Sequence, residues 1–246
     1  MRKETNLKRV KEIAHLLLMT DIQKTEFSPI IVKHPFTDTG VTTVPNDEIG
    51  FQVVNIMDDE NAQRQWRESV GKIIDEAENA YEIYMRVTKP YGLTFLKFVS
   101  LHLSRTEMSE ILADAWVRSE APNQDVNVSQ VKLLSMFKKA DVTILMEQDE
   151  YEQFQALDDI VTVYRGVTPY NADSIRALSW TLNQETAEWF AHRFGEDGTV
   201  YEAQIPKVHI YALMNRRNEM EVIVNPNYLT DITEVQDMNN EIAMTM

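Results

Sequence analysis

Near residue 158 the hydrophobic period of this chain changes, and that change limits its fold more than any other feature. Upstream, apolar residues recur at helical spacing; downstream they alternate as in half-buried strands. Residues 6–19 place Leu7, Val10, Ile13, Ala14, Leu17 and Leu18 on one helical face. Residues 59–87 read as the longest helix, with Trp66, Val70, Ile73, Ile74, Ala77, Tyr81, Tyr84 and Met85 as its apolar stripe. Asp58, Asp59 and Glu60 begin it, where carboxylates complement the helix dipole. Pro90 ends it, and helices are expected over 93–102, 107–117, 129–139 and 141–157, the second of these capped by Ser104 or Thr106. Between the first two helices, Pro29, Pro35, Gly40, Pro45 and Gly50 punctuate residues 27–50, which read as loop with short strands; residues 51–57 read as one strand.

After residue 160 the expected elements are strands over 161–165, 177–182, 199–205, 208–213, 220–224 and 230–235, interrupted only by a helix over 184–194. Helices first and strands afterwards imply an α+β architecture. The expected division is a mainly helical region, 1–157, followed by a strand-rich β core, 158–246.

Composition narrows the function classes. With 43% hydrophobic residues the chain can bury a core. There is no cysteine, which excludes disulfides, thiolate metal sites and cysteine nucleophiles and suits a reducing compartment. Asp and Glu outnumber Lys and Arg by 39 to 24, a net charge of −15, which argues against nucleic acid as a partner. The charged start and the short 16–19 apolar run do not make a signal peptide, and no stretch approaches a membrane span, so a cytoplasmic location is expected. The five histidines are scattered without metal-ligand spacing, so no metal is expected. Asp38-Thr39-Gly40 matches the aspartic-protease triplet. That chemistry needs two such carboxylates in apolar strands, and without a second copy the triplet reads as a turn. Glu147, Asp149, Glu150 and Glu152 read as a solvated acidic face.

Three short blocks in the strand-rich part carry the chemistry: Tyr164-Arg165-Gly166 at the end of one strand, Ser179-Trp180-Thr181 leading into the 184–194 helix, and Glu219-Met220-Glu221 opening another strand. Residues two apart on a strand share a face, so Glu219 with Glu221, and Ser179 with Thr181, are expected to point the same way. A guanidinium suits a phosphate, and a carboxylate suits a developing positive charge.

In this order the blocks resemble those of mono-ADP-ribosyltransferases of the Arg–Ser–Glu type, a fold shared with bacterial toxins and phage-encoded modifiers. Those enzymes carry an aromatic-Arg-Gly strand, a Ser-x-Ser or Ser-x-Thr strand followed by a helix, and a Glu-x-Glu or Gln-x-Glu strand. The resemblance covers roughly the last third of the chain and implies an NAD-binding catalytic core over 158–246. It implies that Arg165 and Gly166 bind NAD, Arg165 at the pyrophosphate or ribose and Gly166 through its backbone at the nicotinamide amide. It further implies that Ser179 and Thr181 hold the ribose and the catalytic carboxylate. Glu221 would stabilise the oxocarbenium-like sugar, and Glu219 would orient or deprotonate the acceptor, for which a Glu at this position implies arginine. Trp180, where the family more often has Ser or Thr, is expected to face the core.

NAD would be a co-substrate, no metal would be needed, and the second partner would be a protein target, with a phage or bacterial effector acting in host cytoplasm as the expected setting. The helical region would be a lobe over the NAD cleft or a target-recognition domain. Asn215-Arg216-Arg217-Asn218 lies where the family places its substrate-recognition loop, and its two arginines read either as a solvated turn or as a steering patch for an acidic surface. Trp189, Phe190 and Phe194 are expected to pack, and Tyr164 is open. Two alternatives carry different expectations: a catalytically inert module of this fold, and an NAD glycohydrolase.

Overall fold

The computed structural model of the chain describes residues 3–235. They form two compact units, one reaching from the N-terminal side to Lys132 and including Lys139–Asp141, the other made of Leu133–Lys138 and the chain from Val142 onward. The sequence reading divided the chain between residues 157 and 158; the units part some twenty residues earlier. Among the described residues no helix is long and apolar enough to cross a membrane.

In the first unit, α1 (Leu7–Leu18) is capped by the Asn6 side chain, which accepts the Arg9 N–H, and buries Val10, Ala14 and Leu18. Residues 27–50, expected mostly as loop, are largely β-structure. The short strands β1 (Gln23–Lys24), β2 (Ile31–His34) and β3 (Thr37–Thr39) make a three-stranded sheet, and β4 (Val41–Asn46) pairs with β5 (Gly50–Asn55) as a hairpin. The β-branched residues between the prolines pair with one another across tight turns, and Gly50 supplies the positive φ of +83° that closes the hairpin. Asp38 lies in β3 and is exposed, so the Asp-Thr-Gly triplet has no apolar enclosure.

The helix expected over 59–87 is two helices, α2 (Glu60–Glu76) and α3 (Ala80–Tyr84). The break is local capping. Asn79 accepts the Glu82 N–H at 2.9 Å, and the Glu82 carboxylate reaches back to the Glu78 N–H at 2.8 Å, so the backbone finds partners by restarting. The buried stripe shifts accordingly: Gly71 is inside, against the His15 ring, while Ile73 and Met85 are exposed. Two further helices complete the helical part of this unit, α4 (Gly92–Val99) and α5 (Arg105–Arg118), the latter capped by Ser104. The division between units falls within α6 (Gln130–Lys139).

The second unit is built on a six-stranded antiparallel sheet. The stretch expected as one helix over 141–157 is α7 (Val142–Leu145) and α8 (Gln148–Ala156), broken where Glu147 becomes the N-cap of α8. The strands are β6 (Ile160–Val167), β7 (Ser179–Thr181), β8 (Thr199–Pro206), β9 (Ile210–Met214), β10 (Glu221–Val224) and β11 (Thr230–Glu234), with α9 (Gln184–His192) between β7 and β8. Their order is β11-β8-β6-β7-β10-β9. The chain is therefore α+β. Val161 and Val163 of β6 pair with Ile205 and Ala203 of β8, all buried.

On the β6 side, α9 lies against the strands through Ala187 and Ala191. Its backbone comes so close that a Cβ on Gly166 would stand 2.1 Å from the Ala187 carbonyl oxygen, and one on Gly198 would stand 2.2 Å from that of Ala191. Small residues on both surfaces permit this approach and turn the bulky side chains of α9 outward. Trp189 is 64% and Phe194 is 90% exposed, contrary to the packing role expected of them, whereas Phe190 is partly covered and sits over Gly166. Trp180 is buried in the core as expected, its indole N–H donating to the Ala177 carbonyl.

Candidate active site

The three sequence blocks meet in the middle of the second unit's sheet. β7 is the neighbour of both β6 and β10, so the Arg, Ser and Glu blocks sit on adjacent strands. In the register, Glu221 lies opposite Thr181 and Ile223 opposite Ser179. Directly opposed residues share a face, and the diagonal pair Ser179–Glu221 is within reach of a glutamate side chain. The Ser179 hydroxyl donates to Glu221 Oε1.

β10 explains why that carboxylate is inside. All four of its residues are buried, and Glu221 is the single charged one, 4% exposed. A carboxylate so placed must be paired. Ser179 supplies a hydroxyl and Arg217 a guanidinium, with Nη2 at 3.7 Å from Glu221 Oε2.

Arg165 comes in from β6. That strand shares one register pair with β7, Tyr164 opposite Thr181. Arg165 Nη1 donates to the Ser179 carbonyl at 2.6 Å and Nε to that of Ser174 at 3.3 Å. The guanidinium thus satisfies two main-chain acceptors and ties the Ser179 segment to β6. Burial lowers the Arg165 pKa from its usual range to about 10, with Glu221 opposing the fall and the charge of Arg193 adding to it. The group stays cationic at neutral pH.

Thr181 lies on the same face as Ser179, but its hydroxyl is committed to main chain. It donates to the Glu219 carbonyl at 2.7 Å and accepts the Asn183 N–H at 3.0 Å. Thr181 therefore positions the start of the acidic block and the cap of α9. Gly166 pairs with Val200 of β8, and its lack of a side chain is accounted for by the close passage of α9.

Glu219 corrects one expectation. β10 starts at Glu221, so the two acids do not share a strand face by alternation. Asn218 and Met220 have φ of +57° and +45°, a left-handed conformation strained for a residue as bulky as Met. The kink nevertheless brings both acids to one cation: Arg217 Nη2 is 2.7 Å from Glu219 Oε2. Beside them lies a hollow of about 480 Å³ lined by Tyr164, Leu182, Asn183, Gln184, Glu185 and Met220. Tyr164, undecided from sequence, faces this hollow and packs on the Ala187–Ala191 cluster.

Two contributors have other roles than the sequence suggests. Glu150, read as part of a solvated acidic face, is 1% exposed. Its carboxylate accepts the Glu147 N–H at 2.8 Å and the Asn215 N–H at 2.6 Å, so it fixes the loop before the acidic block. The legible signal was its place three residues after the N-cap of α8, where an acid turns back on the helix start. The Arg216-Arg217 pair, read as a solvated turn or a steering patch, is instead consumed internally. Arg216 Nε is 3.1 Å from Glu147 and Arg217 faces the acidic pair.

Among the described residues no group of three or more His, Cys, Asp or Glu side chains is placed to hold a metal ion. Chemically, the site offers a buried, hydroxyl-oriented carboxylate, a second carboxylate at its edge, and a fixed guanidinium one strand away. Comparison of the chain with protein-family models, with curated proteins and with solved structures finds no match.

Proposed function

We propose that the second unit is a mono-ADP-ribosyltransferase core, moving ADP-ribose from NAD to a protein side chain with release of nicotinamide. One observation carries this reading: Arg165, Ser179 and Glu221, read from three separate sequence blocks, lie on adjacent strands, the Ser179 carbonyl accepting from Arg165 and the Ser179 hydroxyl donating to Glu221. When the nicotinamide–ribose bond breaks, positive charge develops on the sugar. A carboxylate held in place by a hydroxyl, in a site screened from water, stabilises that charge without having to reorganise. Glu219, at the rim and 22% exposed, is suited to take the proton of an incoming acceptor. The hollow lined by Tyr164 and Met220 has the size of a nucleotide fragment site, though none of Arg165, Ser179, Glu219 and Glu221 lines it. The setting we infer is a phage or bacterial modifier acting on proteins in the cytoplasm.

A second reading has its own support. In the structure the donors of Arg165 described above are spent on two carbonyls and both acids face Arg217, as an inert module of this fold would allow. Incubation with labelled NAD separates the readings. Label on protein supports transfer, free ADP-ribose supports hydrolysis, and intact NAD supports the inert module. Glu221→Gln is expected to abolish any NAD cleavage while the protein stays folded by circular dichroism. Cleavage surviving that substitution would remove the basis for the enzyme reading.

A further inference from the structure

We infer that Arg217 of the same chain occupies the Glu219–Glu221 pair as an internal competitor, so that an external guanidinium acceptor, the class the resemblance implies, must first displace Arg217. The inference rests on the transferase reading for its meaning and on the geometry for its content. Two carboxylates this close repel each other, and a cation between them relieves the repulsion. Here one guanidinium nitrogen serves both, at 2.7 Å from Glu219 Oε2 and 3.7 Å from Glu221 Oε2. A guanidinium keeps further N–H donors beyond that nitrogen and is less strongly hydrated than a compact ammonium.

The loop that carries Arg217 is also held by contacts that do not involve the Arg217 side chain. Glu150 takes the Asn215 N–H, the Asn215 side chain takes the Met220 N–H at 3.0 Å, and the Asn215 carbonyl takes the Asn218 N–H at 2.8 Å. Arg216 is anchored separately on Glu147. Arg217 is 34% and Glu219 22% exposed at the side chain, so this contact is open to solvent, while Glu221 is covered and also held by the Ser179 hydroxyl. Withdrawal of this one side chain leaves Glu221 held by Ser179 and a net negative notch at the edge of the candidate site. Arg217 sets the concentration at which an external guanidinium competes for this notch.

Agmatine, a small guanidinium compound, tests this without NAD. Its binding to the full-length protein is measured by calorimetry for the native chain, Arg217→Ala and Arg217→Ala/Glu219→Gln. Arg217→Ala is expected to bind agmatine roughly five- to tenfold more tightly than the native chain, the gain expected when a weak internal ion pair stops competing. The double variant is expected to lose that gain, and putrescine, with ammonium groups only, is expected not to show it. If Arg217→Ala does not fold, Arg217→Gln, similar in length and uncharged, carries the same expectation. Equal agmatine affinity in native and variant proteins, or a gain that persists in the double variant, overturns the inference. Because no turnover is read, this outcome is independent of whether the native chain cleaves NAD.

Discussion

Ser179 and Glu221 stand diagonally across β7 and β10, and the serine hydroxyl donates to the glutamate carboxylate. The carboxylate lies on a strand whose every residue is buried, so its orientation depends on the few polar groups that reach it. Removing the hydroxyl leaves the charge in place but frees its torsions. Ser179→Ala is expected to lower NAD cleavage by on the order of a hundredfold, the scale for losing one preorganised donor, with the fold retained. Steady-state rates at saturating NAD check this, and a rate within a factor of about two of native would contradict the positioning role.

Glu219 stands outside β10 and is more exposed than Glu221. A residue on the acceptor side should affect transfer more than the breaking of the nicotinamide bond. Glu219→Ala is expected to suppress labelling of an arginine-containing acceptor by about a hundredfold or more, as for loss of a general base, while residual NAD hydrolysis falls far less. Equal loss of both activities would place Glu219 in the bond-breaking step instead.

Gly166 separates two surfaces that meet backbone to backbone. A methyl group there would stand 2.1 Å from the Ala187 carbonyl oxygen and 2.6 Å from the Ala191 nitrogen, and neither can yield without α9 moving. Gly166→Ala is expected to destabilise the second unit by about 1–3 kcal/mol. At about 2–4 °C per kcal/mol this is a readily measured fall in thermal midpoint. An unchanged midpoint would mean that α9 does not pack on β6 as described.

His34 gives the first unit a pH dependence. It is 1% exposed, its Nδ1 accepts the Phe36 N–H at 3.1 Å, and Trp66 meets its ring edge-on. Burial, with the nearby Arg67 charge, lowers its pKa from 6.5 to about 4, against the pull of the Leu18 and Thr20 backbone. The folded state thus prefers neutral His34, while the unfolded chain takes up a proton below 6.5. The stabilising contribution is complete above pH 6.5 and is lost as pH falls from there toward 4. In thermal unfolding followed from neutral pH to about pH 5, the native midpoint is expected to fall more steeply than that of His34→Asn. Parallel curves would remove His34 as the cause.

What could be read from the sequence was whatever depends on near neighbours. Helical spacing located α1, α4, α5 and α6, and alternation located all six strands of the second unit to within a few residues, because burying one face imposes a period on the chain itself. Trp180 could be turned inward from its place between Ser179 and Thr181 for the same reason.

Only the tertiary structure decided what those elements meet. Its place three residues after the N-cap marks Glu150 as a capping acid, but nothing local says that it also takes the Asn215 N–H from a loop 65 residues away and is buried, while Asp149 beside it is exposed. Trp189 and Phe194 are large and apolar yet exposed, because Gly166 and Gly198 let the helix backbone come so close that Ala187 and Ala191 take the inside. The pairing of Arg217 with both acids follows from a left-handed kink at Met220 that strand alternation does not foresee. Periodicity reports which side of an element faces in; the partner on that side is set by register, by backbone approach and by the few side chains that satisfy a buried charge.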